Sequence, residues 1–487
     1  MTETARSNTA SAGLAALETR LRQDLAWLEL PAKSWTMPRT HDKQEVLDVA
    51  VIGGGMAGLA ACATLKHLGI QARGFDRAPA GFEGPWATTA RMETLRSPKQ
   101  LTGPALGLPA LTFRAWFEAQ FGDEAWEALD KIPRLQWMDY LRWYRGALDL
   151  DIRNEHCVGR IVPRADGLVA LDMQTPEGPR TVLSRRVVLA TGRDGLGGAY
   201  VPPIVERLPR ALWAHSSDEL DYGTLRGKRV GVVGAGASAM DSAATALEAG
   251  AASVELLIRR DDIPRVNKSK GAGNPGLTFG HPGLPDEWKW RLRHYINAQQ
   301  VPPPRGSTLR VSRHANAYFN LGCALDSIEA DGDVLRVATP KGGFELDFLI
   351  LSTGFRIALE TRPEFAAFAP HIRFWRDRYQ PRPGQEDREL SDSPDLGPAF
   401  EFLEKTPGEC PGLSRIHCFC YPAALSHGTV SGDIPAISDG ARRLGQGIAA
   451  LLYQEDIELH YAALQAYAEP EVFGDEWLPA PPPANRP

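Results

Sequence analysis

The sequence predicts an α/β fold, because two glycine-rich turns each follow an apolar strand and open a helix of small residues. The first turn, GGGMAG, spans residues 53–58, and the second, GAGASA, spans residues 234–239. A strand, a turn of this kind and a helix together form the fingerprint of a dinucleotide-binding unit, with the helix N-terminus facing a pyrophosphate. We therefore expect two Rossmann-like dinucleotide-binding domains.

The strand that follows each turn ends on a different charge. Asp76 comes 18 residues after the last glycine of the first turn, where a carboxylate accepts the ribose hydroxyls of a nucleotide without a 2′-phosphate. Arg259 and Arg260 end the strand after the second turn, and planar guanidinium groups match a 2′-phosphate. A solvated strand end is the alternative for this pair. The favoured interpretation is FAD at the first unit and NADPH at the second.

Each small residue in the turns has its own expected purpose. Gly53 permits the tight turn, Gly55 lets the backbone approach the pyrophosphate, and Gly58 lets helix and strand pack closely. Ala239 takes the third small position of the second turn, which the fingerprint allows. These roles depend on the strand and helix around each turn, so the full context predicts a nucleotide site better than the glycines alone.

Composition excludes several classes of protein. The chain has 487 residues, enough for two or three domains, and a formal net charge of −6 that argues against a general nucleic-acid binder. Six sparse cysteines suggest a reducing, cytoplasmic location. The N-terminus lacks a secretory apolar region, and the most apolar stretch, Val46–Leu65, contains Asp48 and four glycines. Neither a membrane span nor a signal peptide is expected.

Cysteine spacing also limits the chemistry. Disulfide reductases need a redox-active pair of cysteines near the flavin. The close pair here is Cys418 and Cys420, which are separated by one residue on a predicted strand. His417 beside them does not complete four metal ligands at workable spacing, so no metal is expected. P-loop, HExxH and GxSxG motifs are absent from the sequence, which leaves hydrolase chemistry without support.

The order of the motifs predicts that the NADPH domain is inserted within the FAD domain. An apolar strand ends in Thr191-Gly192 before the second turn, and a similar strand ends in Thr353-Gly354 after it. The expected organisation is an N-terminal extension at 1–45, the FAD-binding domain at 46–210 and 336–470, the NADPH-binding domain at 211–335, and a disordered tail at 471–487.

Two segments allow alternative interpretations. Leucines 14, 17, 21, 25 and 28 recur at helical spacing in the N-terminal extension. We favour a helix packed on the main body over a dimer contact or a lid, because amphipathic helices usually face their own core. Residues 264–330 depart from the nucleotide-binding pattern. They form either a substrate-facing insertion or an excursion that packs on the second domain, and the sequence favours neither.

Several further segments resemble the flavin-containing monooxygenase superfamily, which includes Baeyer–Villiger enzymes and ornithine/lysine N-hydroxylases. Glu83-Gly84-Pro85-Trp86 is similar to a Gly-Gly-x-Trp turn beside the flavin, with Glu83 in place of the first glycine. Residues 96–100 resemble the following Asn-x-x-Lys segment, with Arg96 in place of the flavin-facing asparagine. Residues 133–141 resemble a helix that closes over the flavin. The resemblance covers roughly residues 45–460, although the F-x-G-x3-H fingerprint survives only as His215.

This resemblance implies an NADPH-dependent FAD monooxygenase. NADPH would reduce FAD, and a flavin hydroperoxide would transfer one oxygen atom from O2 to a small organic substrate. N- or S-oxygenation is favoured over Baeyer–Villiger oxidation, because the Baeyer–Villiger fingerprint is degraded and Phe355 follows the second Thr-Gly. The alternatives are a reductase that passes electrons to a protein or quinone, and a redox sensor that only holds nucleotides. A homodimer is among the open oligomeric states.

The resemblance also supplies site residues. Arg96 and Lys99 are the candidate catalytic residues. Asp433, before the last helix, is expected at the flavin ribityl or pyrophosphate, with helix capping as an equal alternative. The candidate cofactor-binding residues from both approaches are Gly53, Gly55, Ala57, Gly58, Asp76, Arg77, Trp86, Gln136, Val158, Thr191, Gly192, Gly234, Gly236, Ser238, Ala239, Arg259, Arg260, Thr353, Gly354 and Asp433.

Overall fold

The computed structural model describes residues 3–480 and 482–485. Its strands, in chain order, are β1 (Arg39–His41), β2 (Gln44–Ile52), β3 (Ala72–Phe75), β4 (Ile152–Arg153), β5 (Cys157–Pro163), β6 (Val169–Thr175), β7 (Gly178–Leu189), β8 (Gly197–Ala199), β9 (Trp213–His215), β10 (Arg229–Val233), β11 (Ser253–Ile258), β12 (Ala317–Leu321), β13 (Ser327–Asp331), β14 (Val334–Thr339), β15 (Gly342–Leu346), β16 (Phe348–Leu351), β17 (Phe355–Ile357) and β18 (Ile416–Cys418).

The helices alternate with these strands along most of the chain. In order they are α1 (Glu3–Trp27), α2 (Met56–His67), α3 (Phe113–Phe121), α4 (Asp123–Ala128), α5 (Arg134–Ala147), α6 (Pro203–Glu206), α7 (Ala237–Glu248), α8 (Lys268–Ala272), α9 (Pro275–Gly280), α10 (Asp286–Gln299), α11 (Arg305–Ser312), α12 (Arg388–Ser391), α13 (Ala424–His427), α14 (Ile437–Glu455) and α15 (Ile457–Ala466). Among the described helices, none combines the length and apolarity needed to cross a bilayer.

The larger sheet has eight strands and depends on the length of β7. Its order is β4-β3-β2-β7-β6-β5, with β1 on β2 and β18 on β7. The first half of β7 pairs antiparallel with β6, and the second half pairs parallel with β2 and β18. The buried second half, from Val182 to Leu189, crosses the middle of the sheet beside the first glycine turn.

The smaller sheet is parallel throughout, in the order β12-β11-β10-β16-β9. Its central strands are apolar along their length, because both faces are covered. One face packs on α7, and the other packs on the three-stranded sheet β13-β14-β15.

The position of β16 differs from the expected organisation, which assigned residues from 336 onward to the first unit. β16 pairs with β10 and β9 in the smaller sheet, and the chain rejoins the larger sheet at β18. An apolar strand followed by Thr-Gly has the same sequence pattern in either parallel sheet. Only the pairing of β16 with β10 decides which sheet it joins.

The two chain segments that link the sheets lie side by side. β8 and β17 pair antiparallel, so that Gly197 is opposite Ile357 and Ala199 is opposite Phe355. A Cβ at Gly197 would lie 2.0 Å from the Arg356 carbonyl oxygen, so this crossing requires glycine. The paired linkers fix how the two sheets face each other.

The N-terminal helix packs on the main body, as the favoured interpretation predicted. Leu17 and Leu21 of α1 are buried in the core of the larger unit. At Gly13 the helix comes so close to α3 that a Cβ would lie 1.7 Å from the carbonyl oxygen of Ala119.

The segment from 264 to 300 docks on the larger unit, so the proposed excursion on the second domain is wrong for this part of the insertion. The Trp290 indole N–H of α10 donates to the Gln385 carbonyl at 2.8 Å, and Asp286 pairs with Arg378 at 2.7 Å. The rest of the insertion, α11, packs on α7, where Arg310 pairs with Glu248 at 2.6 Å. The insertion therefore bridges both units.

A buried ionic cluster joins β7 to the C-terminal helices. The Arg185 side chain is fully buried and pairs with Asp456 at 2.8 Å, Glu455 at 3.1 Å and Asp48 at 3.5 Å. A charge buried this deeply is stable only while its partners remain, because desolvation is costly.

We expect Asp456→Ala to lower the free energy of unfolding by about 3 kcal/mol, since it leaves part of the Arg185 charge uncompensated. Chemical denaturation followed by fluorescence measures the change. The matched control is Asp139→Ala, which removes an exposed carboxylate paired with Arg142 at 2.7 Å and should leave the midpoint nearly unchanged. Equal effects of the two substitutions would contradict the role of the buried cluster.

Candidate functional site

The first glycine turn is too tightly packed for other residues at two positions. Gly53 has φ +106°, and a Cβ there would lie 2.4 Å from the Ala190 carbonyl oxygen. A Cβ at Gly58 would lie 1.8 Å from the Gly53 carbonyl oxygen, so α2 rests directly on the turn. Gly55 is different, because its nearest neighbour would be the Gly84 Cα at 3.8 Å. Space beside Gly55 is what a bound pyrophosphate needs.

Asp76 lies at the same turn. Its carboxylate accepts the Gly54 N–H at 2.6 Å and the Ala78 N–H at 2.7 Å. These bonds hold the acid at the edge of the sheet beside the helix N-terminus, where a ribose would reach it. Arg77, the next residue, is exposed.

Glu83 has a structural role in the loop that follows. Its buried carboxylate pairs with Arg145 of α5 at 2.8 Å and accepts from Asn154 at 2.6 Å and from the Gly81 N–H at 2.8 Å. Together with Gly54, Gly55 and parts of α5, this loop lines a cavity of about 390 Å³. The residue that replaces the expected glycine therefore anchors the loop to α5.

Three other candidate FAD residues lie around α5 and β5. Trp86 packs edge-to-face on Trp137 at 6.5 Å, and Gln136 buries an amide oxygen that has no hydrogen-bond partner among the described residues. Val158 is half-buried and packs against the same core. The orphaned Gln136 oxygen and the open space at Gly55 both fit a bound FAD.

The second glycine turn repeats this geometry. Gly234 has φ +135°, and a Cβ there would lie 2.7 Å from the Ser352 carbonyl oxygen. Ala239 is fully buried against the sheet, whereas Ser238 and Gly236 are exposed, with nothing within 4 Å of a Cβ on Gly236. The start of α7 is therefore open to a ligand, as a pyrophosphate site requires.

The arginine pair lies beside this turn without a carboxylate partner. Arg259 is exposed, and Arg260 makes one long contact of 3.4 Å with the Ala298 carbonyl. Among the described residues, neither arginine forms an ion pair. Two uncompensated guanidinium groups at this place fit the 2′-phosphate of NADPH.

A cleft of about 2240 Å³ brings the second turn together with the loop 96–100, the insertion and the segment before α14. Candidate residues on its wall are Arg96, Lys99, Gly234, Gly236, Ser238, Arg259, Arg260, Thr353, Gly354 and Asp433. Thr191 and Gly192 lie behind this wall, where the Thr191 hydroxyl donates to the Gly195 carbonyl at 3.3 Å.

The two candidate catalytic residues make backbone contacts. Lys99 donates to the carbonyls of Trp126 at 2.6 Å and Glu127 at 3.2 Å, which ties its loop to the end of α4. Arg96 donates to the Pro302 carbonyl at 2.7 Å. Desolvation lowers the pKa of Arg96, partly offset by the nearby Asp433 charge. Both residues thus position the cleft wall.

Asp433 does not cap the helical turn that follows it, because its side chain makes no capping hydrogen bond. Desolvation raises the pKa of this carboxyl, while the charges of Arg293 and Arg96 lower it. The structure therefore does not support capping by Asp433, which lies on the cleft wall, and its contact with the flavin stays a prediction.

Sequence reasoning gave no individual role to two polar residues of the insertion, Arg293 and His281. Both are buried and line the cleft. His281 contacts the Leu425 carbonyl through Nε2 at 3.0 Å. Burial lowers its pKa to about 4, with further lowering by Lys289, Arg293 and Arg443. No sequence motif marks these residues, because the docking of α10 on a distant segment creates their environment.

The cysteine pair belongs to no cluster of potential metal ligands among the described residues. Cys418 and Cys420 are buried, with their sulfurs 3.5 Å apart. No group of three or more potential metal ligands occurs in the part of the chain that the structure describes. His215 is buried as well, with Nδ1 at 2.7 Å from the Ser217 hydroxyl.

Known proteins resemble this chain in sequence and fold. Residues 126–273 match the family model of L-lysine 6-monooxygenase/L-ornithine 5-monooxygenase, and residues 50–194 match an FAD-NAD(P)-binding model. The FAD-dependent urate hydroxylase of Xanthomonas campestris pv. campestris is 40% identical over 469 residues, which is 95% of this chain and 98% of that protein. The L-lysine N6-monooxygenase of Escherichia coli is 25% identical over 259 residues, which is 47% of this chain and 58% of that protein.

Solved structures agree on the fold. The ornithine N-hydroxylase of Kutzneria sp. 744, solved with reduced FAD, NADP+ and L-ornithine, superposes with a TM-score of 0.64 at 17% identity. The match covers 83% of this chain and 99% of that one.

We expect Gly58→Ala to lower the FAD content of the purified protein, because the added Cβ would force α2 away from the first turn. Absorbance of released flavin per mole of protein measures the loss. The matched control is Gly236→Ala in the second turn, where the Cβ meets nothing within 4 Å and FAD content should be unchanged. Full FAD content in Gly58→Ala would contradict the close packing of helix and turn.

Proposed function

Because this chain belongs to the family of FAD-dependent monooxygenases that includes its urate hydroxylase relative, we propose that it hydroxylates urate or a similar small anionic heterocycle. The expected resemblance to flavin-containing monooxygenases is confirmed, and so are FAD and a nicotinamide dinucleotide as cofactors. The choice of NADPH over NADH is part of the proposal, and Arg259 and Arg260 support it. The chain is an oxidoreductase of the monooxygenase type, so the reductase and sensor alternatives lose their support.

The observation that carries the substrate proposal is the extent of the urate hydroxylase match. It spans almost the whole of both proteins, whereas the lysine monooxygenase match covers about half of each. The insertion and the segment before α14, which form much of the cleft wall, fall within a match of that length. The leading proposal is therefore hydroxylation of urate or a similar heterocycle, and the expected N-oxygenation stays as the second candidate.

The chain's own residues supply binding, orientation and shielding. FAD, when bound, takes a hydride from NADPH and activates O2. The first turn and Asp76 would hold FAD, with Trp86 and Gln136 beside it, and the second turn with Arg259 and Arg260 would hold NADPH. Residues of the insertion line the same cleft as the second turn, where they would limit the access of water to bound ligands.

The inserted arrangement of the two units is also part of the proposal. The strand pairing supports an NADPH-binding unit from about residue 211 to 353, so that β16 belongs to it. The FAD-binding unit would comprise residues 46–210 and 354–470. This assignment retains the expected insertion and moves its second boundary.

N-hydroxylation of an amine is the second candidate. Asp433 favours it, because this carboxylate faces the cleft and forms no ion pair within the described residues. An ammonium group would pair with it. The family model of lysine and ornithine monooxygenases agrees with this alternative.

Oxygen transfer is tested by incubating the FAD-loaded protein with NADPH, ¹⁸O2 and either urate, L-lysine or L-ornithine. We expect one labelled oxygen atom in the urate product, measured by mass spectrometry. Label in a lysine or ornithine product alone would support N-hydroxylation instead. NADPH oxidation that yields only hydrogen peroxide with every substrate would contradict both candidates.

We expect Arg259→Ala with Arg260→Ala to raise the KM for NADPH by about tenfold or more, since charge-assisted bonds to a phosphate are lost. The KM for NADH should change little, because NADH lacks the 2′-phosphate. Steady-state NADPH and NADH oxidation measures both values. Arg265→Ala is the matched control, since Arg265 is exposed and pairs with Asp262 at 3.0 Å. Equal losses for both nucleotides would contradict a 2′-phosphate contact.

A further inference from the structure

One buried arginine on the cleft wall has no hydrogen-bonding or ionic partner among the described residues. Arg293 of α10 is 8% exposed and lines the cleft. Its Nε is a buried donor without an acceptor, and its side chain forms no hydrogen bond or ion pair with any residue that the structure describes. A buried guanidinium in this state is costly, because desolvation of an unpaired charge takes several kcal/mol. An anion from outside the chain would remove that cost.

Other buried arginines of this protein show the contrast. Arg310 is 7% exposed and pairs with Glu248 at 2.6 Å. Arg185 is fully buried and pairs with Asp456 at 2.8 Å. Where the fold buries these two guanidinium groups for structural reasons, it supplies carboxylates. Arg293 is buried as well, but its side chain lines the cleft and has no carboxylate partner among the described residues.

The neighbours of Arg293 include two titratable groups that also line the cleft. Its charge acts on both Asp433 and His281, since it lowers the pKa of each. Yet no ion pair within 4.0 Å joins Arg293 to Asp433 among the described residues. The guanidinium and the carboxylate therefore face the same part of the cleft without neutralising each other, which leaves room for a polar molecule between them.

The helix that carries Arg293 is held firmly. Trp290, one turn earlier, is fully buried among Trp375, Leu390 and Leu425 and donates its indole N–H to the Gln385 carbonyl. Asp286 at the start of α10 pairs with Arg378 at 2.7 Å. Docking on the larger unit thus fixes the position of Arg293 before any ligand arrives, and such preorganisation favours binding.

We propose that Arg293 binds an anionic oxygen of the substrate and so selects small anions for this cleft. This inference rests on the proposed function, in which the cleft is where oxygen is transferred. The planar guanidinium suits the delocalised oxyanion of urate, and it suits equally the carboxylate of an amino acid. The shared chemistry is a small molecule with an anionic oxygen.

The test is equilibrium binding to the oxidised, FAD-loaded protein, measured by isothermal titration calorimetry. The ligands are urate, L-lysine and cadaverine, a diamine without a carboxylate. We expect Arg293→Gln to raise the Kd of the anionic ligand that binds by about tenfold or more, because a charge-assisted bond is lost. Cadaverine binding should stay within about twofold. A larger loss for urate than for lysine identifies the heterocycle as the preferred anion, and the reverse identifies the amino acid.

The matched control is Arg291→Gln on the same helix. Arg291 is half exposed, pairs with Glu287 at 3.6 Å and lies over the Trp288 ring, outside the cleft wall. Its substitution should leave every Kd unchanged. Should Arg293→Gln lose FAD or stability, Arg293→Lys retains the charge and should still weaken anion binding several-fold, because lysine lacks the planar fork.

Three results would overturn the inference. One is a Kd for urate and lysine that neither Arg293→Gln nor Arg293→Lys changes. Another is a wild-type protein that binds neither anion. The third is a loss of NADP+ affinity in Arg293→Gln with substrate binding intact, which would assign Arg293 to the nucleotide. The labelled-oxygen experiment tests the proposed function separately. Anion binding through Arg293 without oxygen transfer would contradict the proposed function but not the anion-binding role of Arg293.

Discussion

The pairing of the two linkers is the constraint on which the rest of the site depends. β8 and β17 lie antiparallel, and the Tyr200 N–H donates to the Gly354 carbonyl at 2.9 Å at their end. Parallel sheets bind ligands beyond the carboxyl ends of their strands. Since the linkers leave both sheets near those ends, their pairing holds side by side the two sheet ends that carry the glycine turns, as hydride transfer between two bound dinucleotides would require.

The arginines of the cores differ from those around the cleft in whether a carboxylate pairs with them. Within the cores, arginines such as Arg185 and Arg310 have carboxylate partners and join distant segments. Around the cleft, Arg259, Arg260 and Arg293 have none among the described residues. A protein whose proposed ligands are two nucleotides and a small anion needs uncompensated cations where those ligands bind, and this chain provides them along one cleft.

Much of this arrangement follows from the sequence alone. The glycine turns, the acid after the first and the arginine pair after the second lie where their spacing predicted, because each motif is local to a strand, a turn and a helix. The family resemblance, which was predicted from a few short segments, was confirmed. The sheet that β16 joins was not predicted, because an apolar strand carries no information about which of two parallel sheets it will join.

The sequence by itself determined where glycine is required, and it predicted which dinucleotide each turn accepts, since a Cβ clash or a strand-end charge acts over a few residues. Only the tertiary structure decided what the insertion does. The stretch from Asp286 to Gln299 contains three arginine or lysine positions close together on one helix, Lys289, Arg291 and Arg293. Docking against residues 375–425, far along the chain, buries Arg293 on the cleft wall and leaves Arg291 at the surface, and no local pattern distinguishes the two.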